Sequence, residues 1–247
     1  MTDSGFAEDA QFSKLRTDQQ AWVIIPAAGV SQRMQADRPK QYLMLQGHTV
    51  LERTLRRFIG QPWVKGVVVA LHPQDPYYQK LPEAVRQSVI AVEGGNSRQS
   101  SVQKALISIQ TLAADNDWVM VHDAARACIL STQLTDFFVQ ATECEHGAIL
   151  ALPVSDTLKK IEQGTVVTRD RSLYWRAQTP QQFRYRVLMK ALNQAEDMTD
   201  EASAIEQLGL QYQLIEGFDS NIKITRPMDL VLANALIGHE VDDPCSE

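Results

Sequence analysis

Residues 21–34 read AWVIIPAAGVSQRM, and the triplet PKQ follows at residues 39–41. The apolar run is typical of a buried strand, and it leads into a loop of small residues with two cations, Arg33 and Lys40. Small residues let backbone N–H groups approach phosphate oxygens, and fixed positive charge stabilises the negative charge that develops there. The loop matches neither the Walker P-loop nor the dinucleotide fingerprint. It therefore indicates either a different polyphosphate site or an ordinary strand-to-helix turn with two solvated cations.

The composition narrows the class of protein. A length of 247 residues suits one α/β domain, alone or with an appendage, and the hydrophobic fraction of 44% predicts a buried core. The formal net charge of -6 opposes general binding to nucleic acid. It does not oppose binding of a small polyanion, because a few converging cations can reverse the local potential.

The cysteines and the N-terminal residues predict where in the cell the protein is found. Cys128, Cys144 and Cys245 show no C-x-x-C spacing, so they support neither a disulfide framework nor a zinc site and fit a reducing cytosol. The acidic N-terminal residues lack the apolar core of a signal peptide, and no apolar run approaches the length of a membrane span. We expect a cytoplasmic protein without a nucleic-acid or membrane partner.

Short apolar runs alternate with amphipathic helical patterns along most of the chain. Most of these runs are continuous, as in strands of a parallel sheet that is covered on both faces. The alternation indicates an α/β fold with a doubly wound, mostly parallel sheet. We expect one domain over residues 21–238, a flexible extension over residues 1–20 and a tail over residues 239–247. The predicted strands are residues 22–26, 66–71, 89–92, 118–121, 148–152 and 213–216, and helical patterns include residues 50–59, 102–109 and 227–237.

Residues 155–175 interrupt this alternation. Two short runs with alternating polarity, residues 157–161 and 165–168, flank a turn that contains Gly164, and this pattern predicts a β-hairpin. An isolated two-stranded hairpin is marginally stable in water, so it should pack against another surface. The residues themselves leave open whether that surface belongs to its own domain or to a second subunit.

Three loops that follow predicted strands should meet at one edge of the sheet. They are residues 27–40, 94–101 and 123–126. Ligands of open α/β sheets bind beyond the carboxyl ends of the strands. We therefore expect a ligand site where these loops converge.

Further motifs follow PAAG and PKQ in order along the chain. They are HDAAR at 122–126, DR at 170–171, TPQ at 179–181, TDEAS at 199–203 and NIKITRP at 221–227. This ordered set resembles the 2-C-methyl-D-erythritol 4-phosphate cytidylyltransferase family over residues 22–237. The resemblance implies a Rossmann-like nucleotidyltransferase fold and transfer of CMP from CTP to that polyol phosphate in isoprenoid precursor synthesis. It also implies Mg²⁺ or another divalent cation bound with CTP, and a homodimer in which the protruding hairpin is a β-arm that embraces the second subunit.

On the nucleotide side, the resemblance implies a catalytic role for Arg33 and Lys40. Attack on an α-phosphate places negative charge on its oxygens and on the departing pyrophosphate, and preorganised cations oppose that charge most strongly in the transition state. The small residues Ala27, Ala28 and Gly29 are the candidates for binding the nucleotide in the same loop.

The second loop has two interpretations. By resemblance it holds the cytosine base and the ribose, which makes Gly95, Asn96 and Ser101 candidates for base recognition. Alternatively it is a helix start, because Asn96 or Ser97 is a good N-cap and a glycine pair is common in turns.

The acceptor substrate needs its own contacts. Asp123 ends a buried strand, and we expect it to contact the acceptor; the alternatives are a salt bridge to Arg126, a cap on the next turn, or a contact with Mg²⁺. One carboxylate does not make a dedicated metal cage, so no metal ligands are assigned. His122 is expected to be a packed or hydrogen-bonded neighbour, since a phosphomonoester is already an anionic nucleophile near neutral pH.

Three more residues are candidates for the acceptor phosphate. Lys223 lies in a segment, residues 221–225, that alternates like a short strand. By resemblance it holds the phosphate together with Arg171, which reaches across from the partner subunit. Thr199 precedes a helix-start signature, where N-capping is the favoured interpretation and a contribution to substrate binding is the alternative.

Two departures and three rival functions complete the prediction. Ser31 stands where many relatives have Gly, and Asn96 stands where relatives have Asp, but neither change removes a cation.

The first rival function is that of a cytidylyltransferase for another polyol phosphate, such as ribitol 5-phosphate, because that family shares the early motifs. The others are a uridylyl- or guanylyltransferase and a nucleotide-binding regulatory module without activity.

Overall fold

The structure is a computed structural model, and it describes residues 19–29 and 37–238. Its strands are β1 (Ala21–Pro26), β2 (Met44–Leu45), β3 (His48–Thr49), β4 (Val64–Leu71), β5 (Ile90–Glu93), β6 (Trp118–Val121), β7 (Ala148–Pro153), β8 (Leu158–Glu162), β9 (Thr165–Arg169), β10 (Trp175–Arg184) and β11 (Gln213–Glu216). Its α-helices are α1 (Val50–Arg56), α2 (Glu83–Gln87), α3 (Arg98–Ser108), α4 (Ser131–Thr142), α5 (Tyr185–Gln194), α6 (Glu201–Gln207) and α7 (Pro227–Gly238). Short 3₁₀ helices span Lys40–Tyr42, Tyr78–Lys80 and Arg171–Leu173.

A seven-stranded sheet in the order β11-β7-β10-β6-β1-β4-β5 forms the centre of the fold. β1 pairs in parallel with β4 and β6, β4 with β5, and β7 with β11. The prediction of a doubly wound, mostly parallel sheet is confirmed, and the six predicted strands end within two residues of the observed ones.

Strand β10 was missed by the sequence analysis. It lies between β6 and β7 and runs antiparallel to both. Pro180 falls within it, and a proline inside a polar run argues against a central strand because proline cannot donate a ladder hydrogen bond. The register with β7 shifts between Ala177 and Gln181, so the pairing is interrupted around the proline.

Helices cover both faces of the sheet, which explains the continuous apolar runs. Successive strand residues point to opposite faces. On one face Val23 and Ile25 join a core with side chains of α1 and α4, and on the other Ile24 joins a core with side chains of α3, α5 and α6. This double coverage leaves the ends of the strands as the place for a ligand.

The predicted hairpin is formed by β8 and β9, which pair antiparallel. Its turn residues Gln163 and Gly164 have φ of 49° and 82°, as a type I′ turn requires. Two apolar side chains of the hairpin, Ile161 and Val166, are 74% and 64% exposed. Its role as an arm in a dimer stays a prediction.

The prediction of a short strand at residues 221–225 is wrong. The segment has no regular secondary structure and is fastened to its neighbours by individual hydrogen bonds. Ile224 N donates to Ala125 O at 2.9 Å, and the buried Asn221 side chain donates to Thr179 O at 2.9 Å. These bonds place the segment beside the loop after β6 without any sheet ladder.

Several predictions concern residues outside the described part of the chain. These include most of the N-terminal extension, the C-terminal tail, and the positions of Ser31 and Arg33. The domain limits therefore stay predictions. None of the helices in residues 19–29 and 37–238 is long and apolar enough to cross a bilayer.

Candidate active site

A cavity of about 560 Å³ opens at the carboxyl ends of the parallel strands. The loops after β1, β5 and β6 meet there, as the sequence predicted, and they are joined by the loop after β4 and by Lys223. Its lining contains Ala27, Ala28, Gly29, Lys40, Gln41, His72, Gly95, Asn96, Arg98, Ser101, Asp123 and Lys223. Nine of these were candidates from the sequence; Gln41, His72 and Arg98 were not.

The loop after β1 is held in shape by Gln41. This buried side chain donates to Ala27 O at 2.8 Å and to Gly29 O at 3.3 Å. Lys40, the preceding residue in the same 3₁₀ helix, donates from Nζ to Ile224 O at 3.0 Å. In the PKQ motif, Gln41 thus holds the backbone of the loop after β1, and Lys40 places a cation at the cavity.

The loop after β5 starts helix α3, and Ser97 is its N-cap. The Ser97 side chain accepts from Ser100 N, so the helix-start interpretation is confirmed with Ser97, one of its two candidates, as the cap. Asn96 is instead exposed at the cavity. The buried Ser101 hydroxyl accepts from Gly95 N at 3.0 Å and donates to Ser97 O at 2.8 Å. Ser101 therefore shapes the turn from beneath.

Glycine is required at position 94 because the first two loops touch there. A Cβ at Gly94 would lie 2.5 Å from the Cβ of Ala28. The close approach of these backbones forms one wall of the cavity, which explains the small residues in both motifs.

Asp123 is the centre of a buried charge cluster. Its carboxylate lies 2.6 Å from Lys223 Nζ, 3.1 Å from Arg98 Nε and 3.9 Å from Arg126 Nε. The suggested salt bridge to Arg126 is thus the longest of three contacts. Burial alone would raise the pKa of Asp123, but the Arg98 and Lys223 cations outweigh burial and hold it below its usual value.

Glu201 completes this cluster and was missed by the sequence analysis. It is fully buried, and its two oxygens accept from Arg98 at 2.6 Å and 2.9 Å. Burial raises the pKa of Glu201, opposed by Arg98. The available signal was its place in the helix-start signature, directly after Asp200. Three cations against two carboxylates leave one excess positive charge beside the cavity.

His122 lies under this cluster and is a packed neighbour, as expected. It is completely buried, and its Nε2 donates to Arg126 O at 3.1 Å. Thr179 accepts from Asp123 N at 3.0 Å and donates to His122 Nδ1 at 3.3 Å. Burial lowers the pKa of His122 to about 4, so the ring is neutral near pH 7. Through Thr179 it supports the backbone of Asp123 without carrying charge.

Two candidate residues lie outside the main cavity. Thr199 lines an adjoining cavity of about 190 Å³ together with Asp123 and Lys223. The favoured interpretation of Thr199 as an N-cap is wrong, because the Asp200 side chain caps α6 by accepting from Ser203 N. Arg171 lines neither cavity; its guanidinium donates to Ser155 O beside the hairpin.

The described residues offer no dedicated metal cage. No group of three or more His, Cys, Asp or Glu side chains with the arrangement for a metal ion occurs in residues 19–29 and 37–238. Asp123 is the carboxylate that lines the cavity, and cations already contact both of its oxygens.

An open α/β sheet with cations and a small-residue loop at its carboxyl edge has the features of a protein that binds a phosphorylated ligand such as a nucleotide. The family profile of 2-C-methyl-D-erythritol 4-phosphate cytidylyltransferase matches residues 21–239. The chain belongs to this family and is an enzyme of the nucleotidyltransferase class.

Individual relatives agree with this assignment. The chain is 44% identical over 222 residues to 2-C-methyl-D-erythritol 4-phosphate cytidylyltransferase of Hahella chejuensis, covering 87% of this chain and 92% of that protein. It is 47% identical over 216 residues to that of Pseudomonas fluorescens, covering 85% and 92%. A crystal structure of 4-diphosphocytidyl-2C-methyl-D-erythritol synthase superposes with a TM-score of 0.77 at 36% identity, covering 89% of this chain and 99% of that chain.

Proposed function

We propose that this protein transfers CMP from CTP to 2-C-methyl-D-erythritol 4-phosphate, giving 4-diphosphocytidyl-2-C-methyl-D-erythritol and pyrophosphate. The observation that carries the proposal is the cavity in which Lys40 and Lys223 line a site whose floor is formed by small residues. Its volume of about 560 Å³ lies in the usual range for small-molecule sites. Family membership supplies the identity of the two substrates.

The chemical step is attack of a phosphate oxygen of the acceptor on the α-phosphorus of CTP. A new P–O bond forms, the bond to the β-phosphate oxygen breaks, and pyrophosphate leaves with its electrons. The acceptor phosphate is already anionic, so the reaction needs no general base. This agrees with the site, in which the neighbouring His122 is buried and neutral. We assign Lys40, together with Arg33, to stabilisation of the charge on the α-phosphate and pyrophosphate.

The nucleotide is assigned to the first two loops. Backbone N–H groups of Ala27, Ala28 and Gly29 would face its phosphates, and Gly95 with Asn96 would hydrogen-bond the cytosine edge. Ser101 acts through the shape of the turn, because its hydroxyl is engaged with the loop backbone.

The acceptor is assigned to the edge of the charge cluster. Lys223 is 42% exposed and held by Asp123, so its ammonium group is oriented without being withdrawn from the cavity. The excess positive charge there favours a phosphate group. Thr199 lines the adjoining small cavity, where a polyol phosphate would extend.

Magnesium is proposed to arrive with the nucleotide. Cations already surround Asp123, and three carboxylates or imidazoles do not converge in the described residues. A triphosphate supplies the oxygen ligands that Mg²⁺ prefers, and the ion retains water. Mg²⁺ is therefore part of the substrate complex.

The cellular setting is proposed from the sequence. The net charge of -6 gives no broad basic surface for nucleic acid, and the cysteine pattern fits a reducing compartment. We propose a cytoplasmic enzyme without a nucleic-acid or membrane partner.

A substrate panel tests the proposed reaction. The purified protein is given each of the four ribonucleoside triphosphates with either 2-C-methyl-D-erythritol 4-phosphate or ribitol 5-phosphate, and pyrophosphate release is measured. We expect the largest kcat/KM for CTP with the methylerythritol acceptor. Faster turnover of ribitol 5-phosphate would show that this compound is the acceptor. A preference for UTP or GTP would show that the enzyme uses a different nucleotide. CTP binding without pyrophosphate release would indicate a regulatory module.

We also propose that the active enzyme is a homodimer in which Arg171 serves the partner's site. Arg171 follows the hairpin and does not line the cavity of its own chain. Exposed apolar side chains occur on the hairpin and in the 3₁₀ helix after it, which suits burial in a subunit interface. These side chains are Ile161, Val166 and Leu173.

Mixed subunits test this arrangement. Lys40→Met and Arg171→Ala variants, each nearly inactive alone, are unfolded together and refolded at equal concentrations. If Arg171 acts across the dimer, half of the dimers are mixed and each has one intact site, so activity returns to about a quarter of the wild-type value. If Arg171 acts within its own chain, every site keeps one defect and the mixture stays inactive. Wild-type protein carried through the same refolding is the control.

A further inference from the structure

A second cavity, of about 470 Å³, lies next to the first. The 3₁₀ helix Lys40–Tyr42 separates the two, because Lys40 and Gln41 line the nucleotide cavity whereas Tyr42 lines the second one. The remaining walls come from α1, the β2–β3 turn and the residues around the 3₁₀ helix Tyr78–Lys80. Nothing in the proposed reaction uses this space.

One side of the second cavity is aromatic. The rings of Tyr42 and Tyr77 lie 5.1 Å apart between centroids, at an angle of 30°. The Tyr42 ring is fixed in place, because it is 2% exposed and its hydroxyl donates to Asp75 Oδ2 at 2.7 Å. Leu81 extends this apolar surface. A rigid aromatic surface of this kind binds a flat apolar group by stacking at small entropic cost.

The rim of the second cavity is positively charged. Arg38, Arg56 and Lys80 line it, against one lining carboxylate, Glu52. Glu52 is buried and compensated by Arg56, whose Nε and Nη2 lie 3.0 Å and 2.9 Å from the same oxygen. Within the described residues, Arg38 forms an exposed ion pair with Asp37, a kind of pair that is weak and easily exchanged. Lys80 Nζ lies 5.3 Å from the Tyr77 ring centroid.

We propose that this second cavity binds a small anion with a flat apolar body, of the aromatic phosphate class, independently of the nucleotide cavity. The half-buried Tyr77 ring, backed by the buried Tyr42 ring, contacts the body, and Lys80 and Arg38 contact the anionic group. Arg38 and Arg56 are each paired with a carboxylate, so Lys80 supplies the excess positive charge at the rim, and this charge favours a ligand that carries an anionic group. The binding does not depend on the reaction proposed above.

Titration of the full-length protein with 2-naphthyl phosphate tests the proposal. Saturating CTP is present, so that the nucleotide cavity is filled, and inorganic phosphate and 2-naphthol are titrated separately. We expect 2-naphthyl phosphate to bind more tightly than either fragment. The Lys80→Glu substitution should raise its Kd by about tenfold or more, because an attraction becomes a repulsion.

The matched control is Lys190→Glu, an equal charge reversal at an exposed position of α5 away from the cavity. It should leave the Kd of 2-naphthyl phosphate unchanged. The proposal is overturned if CTP displaces the probe, if both charge reversals weaken binding equally, or if 2-naphthyl phosphate does not bind at millimolar concentration. Equal binding of inorganic phosphate would show an anion site without the aromatic component and would also overturn it.

Discussion

Replacing Lys40 by Met should lower kcat by on the order of 100-fold or more, the usual loss when one electrostatic donor is removed from a transition state. Lys40 lies at the cavity edge in a 3₁₀ helix whose next residue, Gln41, is bonded to the loop after β1. The ammonium group is thus preorganised and does not reorganise when negative charge develops on the α-phosphate. In the proposed mechanism this interaction strengthens in the transition state, so kcat and kcat/KM for CTP should fall together.

If Lys40 only tethers the segment that contains Ile224, a different result is expected. Its Nζ donates to Ile224 O at 3.0 Å, and a lost hydrogen bond of this kind costs about 1 kcal/mol of stability. Thermal unfolding and steady-state kinetics are therefore measured on Lys40→Met, Lys40→Arg and the exposed control Lys190→Met. A large decrease in Tm with nearly unchanged kcat would show that Lys40 only fastens the Ile224 segment. The arginine variant should retain part of the activity, since it keeps the charge but changes its position.

Replacing Arg98 by Met should cost about 3–5 kcal/mol of folding free energy, the range for removing one partner of a buried ion pair. Glu201 is fully buried and receives both of its short contacts from Arg98, so the variant leaves a carboxylate with its charge uncompensated. Asp123 also loses Arg98, but it keeps Lys223 at 2.6 Å. Urea unfolding of the two proteins measures the difference.

A second substitution separates the cost of the uncompensated charge from the loss of packing. Arg98→Met combined with Glu201→Gln removes the buried charge while nearly preserving volume, and it should recover part of the lost stability. The matched surface control is Arg186→Met, which breaks an exposed ion pair with Asp115 and should cost less than about 1 kcal/mol. Equal losses for Arg98→Met and Arg186→Met would contradict the assigned importance of the buried cluster.

The parts of the site that the sequence analysis predicted are those that follow directly from a strand. Ala27, Gly95 and Asp123 come one or two residues after β1, β5 and β6, and parallel strands bring their carboxyl ends to one edge. The finer details depend on which of several similar side chains makes a local contact. Ser97 rather than Asn96 caps α3, and Asp200 rather than Thr199 caps α6, although all four residue types are acceptable at an N-cap.

The amino-acid sequence by itself determined the parallel strands, three of the helices and the hairpin, because periodic burial and turn residues are local properties of the chain. Only the tertiary structure decided that β10 lies in the middle of the sheet and that Arg98 joins Asp123 and Glu201. These partners are 25 and 103 positions from Arg98. A buried charge is tolerated only when its counter-charge is brought to it, and the folded chain creates that proximity.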